Sequence, residues 1–293
     1  MAGGSKQRPK DFYPTSDIPP LPTLLSEPSL PVKAKTSPPA ILKPIFFAAS
    51  LLAPALASPL AARQDEGSFS HEGGYSAQAS PAPAFPIHES CNATLSAQLT
   101  RALDETVVLA RHAKEHLLRW GGESPFVQKY FGNGTTSTPI GWYERIISAD
   151  RGNIVFRCDD PDENCATQEG WAGHWRGENA TDETVICDVS YTSRRWLSSV
   201  CGLGYTVAQS PLNTFWATDL LHRVLHLPAI SEDVVGHFAE DYAGLLDLAR
   251  EDPAKSAIDS DALQYFAIDV YAYDVAAPGE GCSGEVEGED GEE

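Results

Sequence analysis

Apolar residues recur at three- and four-residue steps from Thr94 to Trp120. Leu95, Leu99, Leu103, Val107, Ala110 and Leu117 or Leu118 fall on one face of a helix, and Gly121-Gly122 ends it. Phe126 to Phe131 is a short aromatic-rich segment. Gly152 to Cys158 reads as a strand and leads into an acidic turn, Asp159 to Glu163. Thr184 to Val189 reads as a second strand. Asn213 to His226 is helical, with Phe215, Trp216, Leu220, Leu221, Val224 and Leu225 apolar, and Pro228 stops it. Val234 to Glu251 predicts a further helix and Asp259 to Tyr273 a last one. The expected class is α+β, mostly helical, with a small sheet. No internal repeat is apparent.

The helix ending at His226 carries the chemistry. His222 and His226 stand four apart in His222-Arg223-Val224-Leu225-His226, so both imidazoles leave one face of the helix. That spacing suits a single Zn²⁺ with nitrogens at about 2.0–2.1 Å. In H-E-x-x-H peptidases the residue after the first His is a Glu that takes the proton of the metal-bound water. Here it is Arg223, which has no acceptor and stays protonated. The pattern predicts a metal site without the usual general base. His237 follows eleven residues later and is the expected third ligand, with Asp241 the alternative and Glu240 a weaker one. Asp219, three residues before His222, could steady a ligand imidazole. If the site were active, Glu240 or Asp241 could act as base and Tyr242 could steady an oxyanion.

The other histidines read differently. His112 and His116 share the same spacing, but Arg111, Lys114 and Glu115 around them predict a solvated helix face. His174 lies in an aromatic loop and is expected to pack. No G-x-G-x-x-G, P-loop or G-x-S-x-G sequence competes.

Composition adds a compartment. A formal net charge of −20 argues against nucleic-acid binding through phosphates. Ile45 to Ala57 is an apolar run ending in Ala55-Leu56-Ala57, too short to span a bilayer and suited to a secretory signal. Residues 1–57 are then a long n-region plus signal peptide, 58–87 a disordered pro-segment or tail, 88–282 the folded domain, and 283–293 an acidic disordered tail. Sequons at Asn92, Asn133 and Asn179 agree with secretion and glycosylation. The six cysteines, Cys91, Cys158, Cys165, Cys187, Cys201 and Cys282, predict three disulfides in an oxidising compartment. Their spacing suggests Cys158–Cys165, Cys187–Cys201 and Cys91–Cys282.

The segment Phe215-Trp216-Ala217-Thr218-Asp219-Leu220-Leu221-His222-Arg223-Val224-Leu225-His226-Leu227-Pro228 resembles the fungal H-R-x-x-H family. That family includes a secreted zincophore antigen and a major mould allergen, and is similar to the deuterolysin (aspzincin) metallopeptidases. Phe126 to Phe131, Phe156-Arg157-Cys158-Asp159 with Cys165, Cys187-Asp188 with Cys201, and Asp261 to Ala267 resemble further deuterolysin segments in the same order. Together they cover about 91–282. The resemblance implies a zincin-like fold around a central metal-binding helix and extracellular zinc capture, secreted or at the cell wall. It also implies delivery to a membrane zinc transporter and contact with host or matrix proteins. It departs from deuterolysins at Arg223, where they carry Glu, and at His237, where they take an Asp ligand.

Overall fold

The computed structural model describes residues 84–285. The signal-like run at 45–57, the segment 58–83 and residues 286–293 lie outside the described residues. The helices are α1 (Ala93–Trp120), α2 (Pro125–Phe131), α3 (Ser137–Ser148), α4 (Asn164–Thr167), α5 (Asp188–Ser193), α6 (Trp216–Leu225), α7 (Pro228–Ser231), α8 (Tyr242–Glu251), α9 (Pro253–Ser256) and α10 (Ser260–Tyr271), which runs into a π-helical turn, Ala272–Ala276. The strands are β1 (Val155–Arg157), β2 (Gly173–Trp175) and β3 (Glu183–Ile186). They form one sheet in the order β1-β3-β2, β1 parallel and β2 antiparallel to β3. The class is therefore mostly helical with a small sheet, as the apolar periodicity predicts.

α1 starts where Asn92 Oδ1 accepts from the Thr94 and Leu95 amides, both at 3.0 Å, and ends at Gly121 with φ 53°. Its apolar face packs on α3, α6 and α10. α6 and α10 are buried on nearly all sides, and Trp216, Leu220, Leu221, Phe266 and Ile268 are 0–2% exposed. Two central helices without a solvated face give a rigid frame for side chains projecting between them. The core also takes in residues ahead of His88: Phe85 is buried, and Ile87 bridges to Phe156. Asn92, Asn133 and Asn179 are exposed.

Four expectations need correction. The disulfides are Cys91–Cys158, Cys165–Cys187 and Cys201–Cys282, not the short loops that spacing suggests. Parallel β1 and β3 end together, which brings Cys158 and Cys187 to one end of the sheet, each facing a different neighbour. Pairing follows Cα separations of 4.9, 5.6 and 5.5 Å, not distance along the chain. The helix read over Val234 to Glu251 begins only at Tyr242. Glu232 and Asp233 adopt left-handed φ of 53° and 58°, and Gly236 exchanges backbone hydrogen bonds with Ile258 and Ser260, so 232–241 is a loop.

The expected solvated face at His112 and His116 is also overturned. His116 is 6% exposed; its Nδ1 lies 2.8 Å from Asp274 Oδ2 and its Nε2 2.8 Å from Ser124 Oγ. His112 Nε2 reaches the same Asp274 oxygen at 3.0 Å. The π-helical turn covers that face from far along the chain. Finally, α3 has no counterpart among the elements predicted above, although its buried Pro139, Tyr143, Ile146 and Ile147 follow helical spacing. Pro139 and Gly141 mask that pattern. His174, expected to pack, is buried against Trp171.

Candidate metal centre

α6 presents His222 and His226 on one face, with ring centroids 4.5 Å apart. The loop between α7 and α8 delivers His237, with centroids 5.0 Å from His222 and 4.8 Å from His226. One ligand atom from each of the three lies within 4.8 Å of the others. His237 Nε2 stands 2.9 Å from His226 Nε2. Two nitrogens on one tetrahedral zinc lie about 3.3 Å apart, so the pair is close to chelating distance. Burial, then the neighbouring His222 and His237, push His226 well below the usual histidine value. A neutral imidazole keeps the lone pair that a metal needs. The donor set therefore fits a zinc ion.

The start of α10 backs these rings. Asp261 Oδ1 lies 3.7 Å from His222 Nδ1 and 3.5 Å from His237 Nδ1. Burial alone would raise the Asp261 carboxyl, but His222 and His237 outweigh it and hold the group below the usual carboxylate range. Gln264 Oε1 is 3.2 Å and Ser260 Oγ 3.3 Å from His222 Nδ1. Asp259 is fully buried; its Oδ1 caps α10 at the Ala262 amide (2.8 Å) and its Oδ2 accepts from the Phe238 amide (2.7 Å). One carboxylate thus ties the residue after His237 to α10. Sequence reading missed Ser260, Asp261, Gln264 and Asp259 as contributors. The available signal was the Asp261–Gln264 spacing of three on the closing helix, which core packing also produces.

The other expected residues lie elsewhere. Asp241 Oδ1 caps α8 by accepting from the Gly244 amide at 2.7 Å, and Glu240 is exposed. Tyr242 Oη is 2.9 Å from Tyr130 Oη, which donates to the buried Asp269 at 2.8 Å; Lys129 Nζ also meets Asp269 at 2.8 Å. Tyr242 thereby belongs to a polar network joining α2, α8 and α10.

Arg223 folds back along α6. Its Nε and Nη2 donate to Asp219 Oδ2 and Oδ1 at 3.2 and 3.0 Å, and Arg194 Nη2 adds a contact to Oδ1 at 3.3 Å. Asp219 is fully buried; burial raises its pKa, but Arg194 and Arg223 together bring it below the ordinary value. Asp219 is thus held by two guanidiniums in place of a ligand imidazole. β2 lies over this pair: a Cβ on Gly173 would stand 2.9 Å from Arg223 Cζ and 2.4 Å from the Val185 carbonyl oxygen. Only glycine lets strand and guanidinium approach so closely.

The chain is similar to the major allergen Asp f 2 of Aspergillus fumigatus, with 56% identity over 216 residues, 74% of this chain and 69% of that one. It is 45% identical to the pH-regulated antigen PRA1 of Candida albicans over 242 residues, 82% of this chain and 78% of that one. A solved zinc peptidase from Grifola frondosa shares 17% identity at a TM-score of 0.45, over 61% of this chain and 97% of that chain. The profile of one family, described as "HRXXH: Putative peptidase family", matches residues 42–285. The chain belongs to the HRXXH family.

Proposed function

We propose that this protein is a secreted zinc-binding protein built on a peptidase-type scaffold, and that it captures extracellular zinc without hydrolysing peptides. The observation that carries the reading is the convergence of His222, His226 and His237 beside an Arg223 committed to Asp219. Bound zinc would supply Lewis-acid chemistry at an open coordination position. A peptidase would also need a carboxylate placed to take a proton there. Arg223 cannot accept one, Asp241 is engaged as a helix cap, and Asp261 lies on the Nδ1 side of the rings. Three disulfides suit an oxidising, extracellular setting. Delivery to a membrane transporter and contact with host or matrix proteins are the further steps that the family resemblance implies.

The test is zinc titration of the purified chain, read by calorimetry and by the rise in melting temperature. Wild type should bind one zinc with micromolar or tighter affinity, and His222→Ala with His226→Ala should abolish that binding. Tight binding that survives the double substitution sinks the site. Zinc-dependent casein cleavage lost in His222→Ala would sink the non-hydrolytic reading.

A further inference from the structure

Gln264 is fully buried on α10, and its amide orientation is settled by its partners. Its Nε2 donates to the Thr218 carbonyl at 2.8 Å and to Asn213 Oδ1 at 2.6 Å. A backbone carbonyl only accepts, so the NH₂ end must face Thr218 and the oxygen must face the other way. That oxygen, Oε1, lies 3.2 Å from His222 Nδ1. An amide oxygen cannot donate, so the hydrogen of this contact belongs to His222 Nδ1. Ser260 Oγ, 3.3 Å from the same nitrogen, can also accept, and the Asp261 carboxylate 3.7 Å away favours a hydrogen on that side. A neutral imidazole protonated at Nδ1 carries its lone pair on Nε2.

We infer that Gln264 is the positioning residue that holds His222 as the Nδ1–H tautomer, so that Nε2 is presented to the ion. The assignment rests on the zinc-binding reading for its purpose, but not for its geometry. In the opposite tautomer His222 would turn an N–H toward the metal and offer no donor there. Gln264 suits the place better than an acid, because its two donors satisfy Thr218 and Asn213 while its oxygen serves the imidazole. A backbone carbonyl on α6 thereby sets, through α10, which nitrogen of a side chain on α6 is free.

The experiment uses the full-length, metal-free chain labelled with ¹⁵N-histidine in mildly alkaline buffer. Long-range ¹H–¹⁵N correlation reads the tautomer, and the His222→Gln spectrum identifies the signals. Wild type should show His222 protonated at Nδ1 and bare at Nε2. Gln264→Met should let the Nε2–H form appear and weaken zinc binding roughly 10- to 100-fold, the range for loss of such an orienting partner. Gln264→Glu keeps the acceptor but sets an oxygen against the Thr218 carbonyl, so it should hold the Nδ1–H tautomer at a lower melting temperature. Near-ultraviolet circular dichroism checks that each variant is folded. An Nε2–H tautomer in wild type overturns the inference. So does a folded Gln264→Met chain that keeps Nδ1–H and wild-type affinity. If Gln264→Met does not fold, Gln264→Leu is read in its place, and a wild-type Nε2–H tautomer still overturns the inference. A wild-type chain that fails to bind zinc defeats the proposed function alone, because the tautomer is read without metal.

Discussion

At the scale of single residues, Arg223, which stands where an H-E-x-x-H sequence has glutamate, is held by a buried carboxylate, and that pairing resists a change to an acid. Asp219 is fully buried and takes both its counter-charges from Arg194 and Arg223. Arg223→Glu would set a second carboxylate beside it and leave one guanidinium for two acids. Breaking a buried pair in this way costs about 3–5 kcal/mol. The expected result is a large loss of stability in urea unfolding and no gain of casein cleavage. Asp219→Ala combined with Arg223→Glu should recover part of the stability, since the repulsion is then gone. Wild-type stability in Arg223→Glu alone would show that the pair does not govern this site. The sequence displayed the replaced base and the His222–His226 spacing, because both are local to one helix. It did not display where Arg223 turns, because the direction depends on Arg194 and on the bare Gly173 above it.

At the scale of elements, the informative unit is the loop between α7 and α8. Its apolar spacing resembles a helix, but the helix starts only at Tyr242, with Asp241 as its cap. Two left-handed residues and the backbone bridge to Asp259 pull the preceding stretch onto α10, which is how His237 reaches His222 and His226. Asp259→Ala removes the α10 cap, worth about 0.5–2 kcal/mol, and at the same time releases the Phe238 amide. We expect a modest fall in melting temperature together with a clear weakening of zinc binding. Asp259→Asn, which keeps a single acceptor, should preserve the cap more than the loop contact. Unchanged zinc affinity in Asp259→Ala would mean that the loop is held by other contacts. His237 was visible as a candidate from the chain alone. It stands ahead of Asp241 on sequence grounds too, and the fold adds a role for Asp241 that spacing does not show, the cap of α8.

At the scale of the whole molecule, the bridges join segments that the sequence keeps far apart. Cys201–Cys282 closes a loop of 81 residues and fastens the C-terminal segment near the start of α6, where the Val207 amide also donates to the Cys282 carbonyl at 2.9 Å. Opening it with Cys201→Ser and Cys282→Ser should cost about 2–5 kcal/mol. Zinc affinity of the remaining folded protein should change little, because His222, His226 and His237 are placed by α6 and by the loop contacts to Asp259, not by residues beside either cysteine. Denaturant unfolding beside zinc titration separates the two effects; a parallel collapse of affinity would show that the bridge shapes the metal centre directly.

The sequence by itself determined the helices α1, α6 and α10, the imidazole pair and the arginine between its histidines. Each is written in spacing over one or two turns, where backbone geometry alone dictates which side chains are neighbours. Only the tertiary structure decided the cysteine partners, the burial of His116, the helix cap at Asp241 and the pairing of Arg223. Those depend on approach between residues tens of positions apart, which is set by how the packed helices and the sheet meet.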